Sequence, residues 1–495
     1  MKMKFSVLHI VMLVIMTLLT GVSFVCSNMF PPNYYEYTII EMDSIGIHVI
    51  VLGILVLYFG VLRPHCLKNV NWNWLVKILL PCSLVFSLAA SCYWAIRCQY
   101  VPVWDPEYIC RTAQVLAEDG SLSETDITYL SRYPQQMGLV WIFRLLIGIF
   151  GAGGECFMTL HLFLAICIPL IILNGYLLTD RLFEDKEADC YFLLLGTGCI
   201  CLYFYVNFLY SDIPGILFVL SALNCIVDYE KTGKKKSGIF GCLFFILAVA
   251  VRKPILIFVI AAAGMWVLYG LCKRDKNEVV VALGAAFIVL VGSQLFINGL
   301  CNHYGVNYHK AEPSLAWIAM GTQKSANGAG WFNGYVDNVY YVHEFDSDLI
   351  KEDAVRTIKN NLMGFIKEPI SGIQFYFEKI LIQWNQPCYQ ALGVSKEYEE
   401  IPGGIVEAIY QGGLFQSTRI YFDCYQWVVY LGFTIYLWKN RKGKEIAVCA
   451  LIPVLAIFGG ILFSLLWEAK SRYILPYLVM MLSYAAKGWR ELQKV

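Results

Sequence analysis

Asp105 and Glu107 stand in the stretch VPVWDPEYICRTAQ, directly after a long apolar run. A carboxylate at such a boundary can take a proton from a hydroxyl nucleophile. Asp followed by Pro and Glu also reads as a helix start, with Asp as N-cap, Pro at the first helical position and Glu in the first turn. An N-cap Asp still presents an oxygen outward, so the two readings are compatible. The cationic candidates lie far along the chain. Arg252 and Lys253 fall between two apolar stretches, and Lys470 and Arg472 follow Glu468 in LWEAKSRYILPYL. Basic side chains there can hold an anion, snorkel to headgroups or, for the second pair, form a structural ion pair with Glu468. Asp212, in LYSDIPG, opens another apolar stretch and reads as an N-cap. Glu124 and Asp126 read as solvated loop charges. His303, His309, Glu312 and His343 share one long polar segment, but their spacing matches no zinc pattern.

The elements that must position these groups are membrane helices. The chain has 495 residues, 58% hydrophobic and 15% charged, with mean hydropathy +0.58. Soluble domains carry about 25% charged residues. The net charge of +1 gives no basic face for nucleic acid. The 18 cysteines fall mostly inside apolar runs and read as small buried hydrophobes. No CxxC, HExxH or GxxxxGK[ST] occurs, which leaves a zinc site and an ATP-driven pump without support.

Apolar length predicts about twelve spans: 5–26, 45–62, 75–96, 157–179, 189–206, 212–228, 238–251, 254–271, 279–299, 425–438, 446–466 and 473–486. The first, with its two lysines, reads as an uncleaved span, longer than a signal-peptide core. The loops LRPHCLKN, YEKTGKKKSG, LCKRDK and KNRKGK and the tail KGWRELQKV are basic, which places both termini in the cytoplasm. This parity requires two helices in 238–271, broken at Pro254, which has no N–H to donate. Two long loops then face outside, roughly 97–156 and 300–424. In the first, Ile109, Ala113, Leu116 and Ala117 fall on one face of 106–118, an amphipathic helix lying on the membrane. YPQQMGLVWIFRLLIGIFG is short and contains Arg144, which fits a second juxtamembrane helix. The chain thus divides into 1–299, including the first outer loop, the large loop 300–424, and the C-terminal helices with their tail, 425–495.

This arrangement resembles the GT-C membrane glycosyltransferases, which include protein O-mannosyltransferases and the lipid A aminoarabinose transferases. In that family an acidic residue opens the first outer loop and a Tyr-Pro pair precedes the next apolar helix. Asp105 matches the first and Tyr133-Pro134 the second. The stretches PSLAWIAMG, GWFNGYVDN and LWEAKSRYILPYL look like Gram-positive members. The family's adjacent acidic pair is Asp-Pro-Glu here, and two spans rather than one precede the loop-bearing helix. The resemblance implies an all-α polytopic, GT-C-like bundle that moves a sugar from a polyprenyl-phosphate donor to a glycan, polymer, lipid or protein acceptor, inverting the anomeric centre at the outer face of the cell membrane. Asp105 is then the base, and Glu107 an acidic or metal contact. Arg252, Lys253, Lys470 and Arg472 face the donor phosphate, and Tyr133, Gln136, Asp212 and Glu468 touch substrate. No cofactor is required by the sequence, and a divalent metal is left open. A polysaccharide polymerase or ligase is the alternative enzyme. A lipid or solute transporter is the alternative outside catalysis, although such chains show repeated halves and charged or broken segments at mid-membrane, absent here.

Overall fold

The computed structural model describes residues 2–3, 6–31, 38–98, 100–394, 403–442 and 445–492. Phe5, Gln99, residues 395–402, Gly443, Lys444 and the last three residues of the tail, all within segments predicted above, lie outside the described residues.

Among the described residues the fold is all-α apart from three two-stranded pairs of two to four residues per strand. The helices are α1 (Ser6–Val25), α2 (Ile45–Leu57, extended by a π-helical stretch to Cys66), α3 (Trp72–Cys98), α4 (Asp105–Glu118), α5 (Glu124–Arg132), α6 (Met137–Phe150) and α7 (Met158–Phe183). There follow α8 (Lys186–Gly198), α9 (Ile200–Phe204), α10 (Asp212–Thr232), α11 (Lys235–Val251), α12 (Leu256–Lys273) and α13 (Lys276–His303). The large loop contributes α14 (Ser314–Gly321), α15 (Tyr335–Val342), α16 (Ser347–Lys367), α17 (Pro369–Trp384) and α18 (Ile405–Tyr410). The chain closes with α19 (Phe415–Asn440), α20 (Val448–Leu466) and α21 (Leu475–Glu491).

Each of the twelve predicted apolar segments is helical over most of its described residues. Eight helices among the described residues are long and apolar enough to cross a membrane: α1, α2 with its extension, α3, α7, α10, α12 from Lys253, α13 and α20. The pair α8–α9 makes a ninth, bent by 41° where Cys199 separates them. The other three, α11, α19 and α21, are shorter or more polar. They still belong to the bundle. A Cβ on Gly488 of α21 would lie 1.9 Å from the Gly432 carbonyl of α19, so these two backbones touch. All 18 cysteines are free thiols.

The stretch 238–271 is two helices. Arg252 leaves the helix with an extended backbone (φ −143°, ψ 95°), and a 3₁₀ turn at Lys253–Ile255 starts the return. Tyr229 of α10 stacks on Trp266, late in α12, with centroids 5.6 Å apart. It also packs against Gly238, early in α11. The start of α11 and the end of α12 therefore share one end of the bundle, and Arg252 lies at the other.

That sorting holds throughout. At the end shared with Tyr229, the predicted basic loops meet acidic partners: Arg63 and Arg490 on Glu187, Lys487 on Asp185, and Lys231 on Glu184. At the other end, both long outer loops and three of the short outer turns converge. α4, α5, the turns at 208–211 and 251–254, the loop 312–345 and the strip 467–473 enclose one cavity of about 1230 Å³.

Candidate active site

Asp105 is the first residue of α4 and does not cap it, contrary to the sequence expectation. Trp104 holds the N-cap position with a left-handed backbone (φ 56°, ψ −135°) and makes no side-chain cap bond. Freed from capping, the Asp105 carboxylate turns into the cavity. Tyr129 donates to its Oδ1 at 3.0 Å and Tyr210 to its Oδ2 at 3.5 Å. Burial, and then the Asp105 charge, push both tyrosine hydroxyls well above their usual range, so both stay protonated donors. Gln136, expected to touch substrate, is buried and donates from Nε2 to the Tyr210 hydroxyl. It acts on Asp105 through that ring. Tyr108 stacks on Tyr129 at 4.6 Å and fixes its plane.

Glu107 lies elsewhere. It is exposed, faces Arg111 one turn on at 3.9 Å, and does not line the cavity. The reason is helical geometry: two residues along a helix turn a side chain by about 200°. Its expected role as an acidic or metal contact is therefore corrected. Asp126 is also no solvated loop charge. It is buried, accepting from Ser123 at 2.5 Å and from Arg111 and Thr112 at 3.3 Å, and it ties α5 to α4. Glu124 lines the cavity.

The four cationic candidates separate into two kinds. Arg252 is 4% exposed and forms an ion pair at 2.8 Å with Asp212, 1% exposed, while its Nη1 donates to Ser211. Asp212 is neither the N-cap of α10, a position held by Ser211, nor a cavity wall residue. It is the counterion of Arg252, and both sequence assignments are corrected accordingly. Lys470 pairs with buried Glu468 at 3.2 Å, and Tyr473 donates to the same carboxylate at 2.8 Å. Lys253 and Arg472 line the cavity and have no carboxylate within ion-pair distance among the described residues. Arg472 lies among Phe208, Tyr210 and Tyr473, at 5.5, 5.2 and 5.3 Å from their ring centroids. Its position over Tyr210 places it one residue away from Asp105.

The strip bearing Glu468 and Arg472 is held by the segment 379–390. Lys379, fully buried, donates to the carbonyls of Gly321 and Leu465, the latter at 3.0 Å. The Gln390 side-chain oxygen accepts from the backbone N–H of Arg472 at 3.2 Å, and that of Gln386 from the Ser471 hydroxyl at 3.1 Å. Burial lowers the Lys379 amine to about 7, against a weaker opposing pull from Glu468. Gly321 is glycine for a packing reason, since a Cβ there would sit 2.3 Å from the Leu466 carbonyl.

Sequence reasoning missed a third group. Arg132 donates to Glu312 and to Asp337, both at 2.6 Å, and lies over Tyr340 at 4.5 Å and Tyr133 at 4.9 Å. Burial raises the Glu312 carboxyl to about 7, partly countered by Arg132. Tyr133 lines the cavity. His343 is hydrogen-bonded to Asp353 at 3.1 Å, and among the described residues no three or more His, Cys, Asp or Glu side chains gather as a metal site.

No protein-family model matches the chain, and no curated protein matches it. Solved structures similar to it include two membrane enzymes. One is the archaeal oligosaccharyltransferase AglB from Archaeoglobus fulgidus, in complex with an inhibitory peptide and a dolichol-phosphate. It is 15% identical with a TM-score of 0.44, and the match covers 84% of this chain and 50% of that one. The chain thus spans half the length of that enzyme. The other is ArnT from Cupriavidus metallidurans bound to undecaprenyl phosphate, 12% identical with a TM-score of 0.36, covering 85% of this chain and 78% of that one.

Proposed function

We propose that this chain is a membrane glycosyltransferase of the GT-C type, moving a sugar from a polyprenyl-phosphate donor to a hydroxyl acceptor. One observation supports this best: a carboxylate aimed into a large cavity by two tyrosine hydroxyls, one aromatic ring away from an arginine without a carboxylate partner. In the proposed reaction Asp105 takes the acceptor proton as the acceptor oxygen attacks the anomeric carbon. The bond from that carbon to the phosphate oxygen breaks, and polyprenyl phosphate leaves with the bonding pair. The single displacement inverts the anomeric centre. Arg472 and Lys253 face the growing charge on the phosphate, where preorganised cations are most effective. Arg252 and Lys470 are held by Asp212 and Glu468 and shape the wall. The sorting of basic loops to the far end of the bundle supports an outward-facing cavity.

The test uses purified protein and a labelled polyprenyl-phosphate sugar. Wild type consumes the donor, and Asp105→Asn, still folded, consumes it at least about 100-fold more slowly, the scale of a lost general base. A wild type that leaves the donor intact refutes the reading. Movement of an intact donor across a vesicle would favour a transporter.

A further inference from the structure

The cavity is larger than a pocket for one small ligand. Pockets for small ligands run to roughly 300–1,000 Å³, and this one has about 1230 Å³. The part of its wall made by α5, α14 and α15 has its own character. Arg132 is fixed by Glu312 and Asp337 and held over Tyr340 and Tyr133. Asp337 remains 45% exposed, so it can accept from a ligand while bound to Arg132. Next to Arg132, at 5.7 Å, the Tyr341 ring is 61% exposed, and Phe345 meets it edge-on at 5.8 Å. Beside Asp105, the Trp104 ring is 73% exposed and also lines the cavity.

We infer that this wall binds a neutral oligosaccharide, and that the acceptor of the proposed reaction is a glycan. The second clause rests on the glycosyltransferase reading; the binding site does not. Three features select the ligand class. Open aromatic faces suit the apolar C–H face of a sugar ring. A carboxylate and a guanidinium fixed side by side suit vicinal hydroxyls, each of which both donates and accepts. Arg132 already carries two carboxyl partners, so a phosphate here would have to displace Asp337, and a phosphate-bearing acceptor fits this wall less well than a neutral one. A peptide is disfavoured for another reason. Extended peptides are commonly bound by strand addition, and the short hairpin at 324–329 contributes no residue to the wall. Tyr341 and Trp104 stand as two platforms, one beside the Arg132 cluster and one beside Asp105, which implies a chain of sugars rather than one.

The experiment is binding without donor. Purified protein is titrated with neutral tetrasaccharides of glucose, mannose and galactose, a phosphorylated mannan fragment and a serine-containing hexapeptide, each followed by saturation-transfer NMR. The expected result is saturable binding of at least one neutral tetrasaccharide. Tyr341→Ala and Asp337→Asn weaken it tenfold or more, while Tyr341→Phe, which keeps the ring, retains it. Unfolding midpoints within a degree of wild type keep the comparison fair. Failure of all three neutral probes overturns the inference. So does tighter binding of the peptide or the phosphorylated fragment that is lost in the same two variants. Saccharide binding in a protein that leaves the polyprenyl donor intact strikes the transfer reading alone.

Discussion

Trp104 holds a backbone conformation that glycine adopts freely and tryptophan does not. Such strain costs about 1–3 kcal/mol, while glycine's extra unfolded-state entropy costs about 0.5–1 kcal/mol. The ring is mostly exposed, so little packing is lost with it. Trp104→Gly should therefore raise the unfolding midpoint, and a fall in a thermal scan would remove the strain argument. Arg252 and Arg472 also diverge at this scale. Removing Arg252 leaves Asp212 buried and unpaired, which typically costs about 3–5 kcal/mol; Arg252→Ala should appear first as lost folded protein. Arg472 has no such debt. Arg472→Ala should lower turnover per folded molecule at least tenfold, about 1.4 kcal/mol of transition-state stabilisation, with Arg472→Lys recovering only part because it lacks the planar fork. Equal turnover in Arg472→Ala, normalised to folded protein, would place the arginine outside the chemistry. The sequence alone made these two arginines equivalent. Their difference lies in a contact 40 residues apart across the α10–α11 hairpin, which no local spacing announces.

The elements were more legible than their partners. Period-3.6 patterning located α4, but its apolar residues Ile109, Ala113 and Leu116 are buried within the protein rather than laid on the membrane surface as the sequence predicts. α6 packs beside it, with Arg144 donating to the Leu116 carbonyl at 3.0 Å. What α4 does with Asp105 was misread, because Asp-Pro fits an N-cap locally and only tertiary contacts moved the cap to Trp104. The Arg132 cluster was missed because its carboxylates lie 180 and 205 residues away. Lys379 was missed because one lysine on an amphipathic helix looks like a surface residue. Its burial gives a prediction. The folded chain gives up the Lys379 proton near pH 7, and the unfolded chain near 10.5. Between these values the unfolded state binds more protons, so this group makes stability rise with pH. The unfolding midpoint should rise from pH 7 to pH 9.5, and Lys379→Met should flatten that slope. An unchanged slope in the variant would show that the ammonium stays charged on its two carbonyls.

For the whole molecule, the decisive reading was of charge rather than of length. Counting apolar residues found twelve helical segments but gave no order to their ends. The basic loops supplied it, through the requirement that 238–271 turn back at Pro254. Tyr229 meets both arms of that hairpin, and both long loops assigned to the outer side contribute to the cavity of about 1230 Å³. The site is therefore a property of the topology: residues 105, 210, 253 and 472 are distant in sequence and meet because alternate spans end at one level. The sidedness of that level relative to the cell is the remaining proposal, and it follows from the positive-inside rule. Single cysteines at Gly120 and Asn327 should react with an impermeant maleimide on intact cells, and cysteines at Lys235 and Lys442 only after permeabilisation. The native exposed thiols Cys66, Cys82 and Cys272 are replaced first to keep the background low. Because all four positions are fixed to the two ends of one bundle, the labels must invert together or not at all. Labelling of Lys235 and Lys442 on intact cells would turn the cavity to the cytoplasm, where the donor would have to present its sugar on the inner leaflet. Labelling of Lys442 without Lys235 would contradict the hairpin itself.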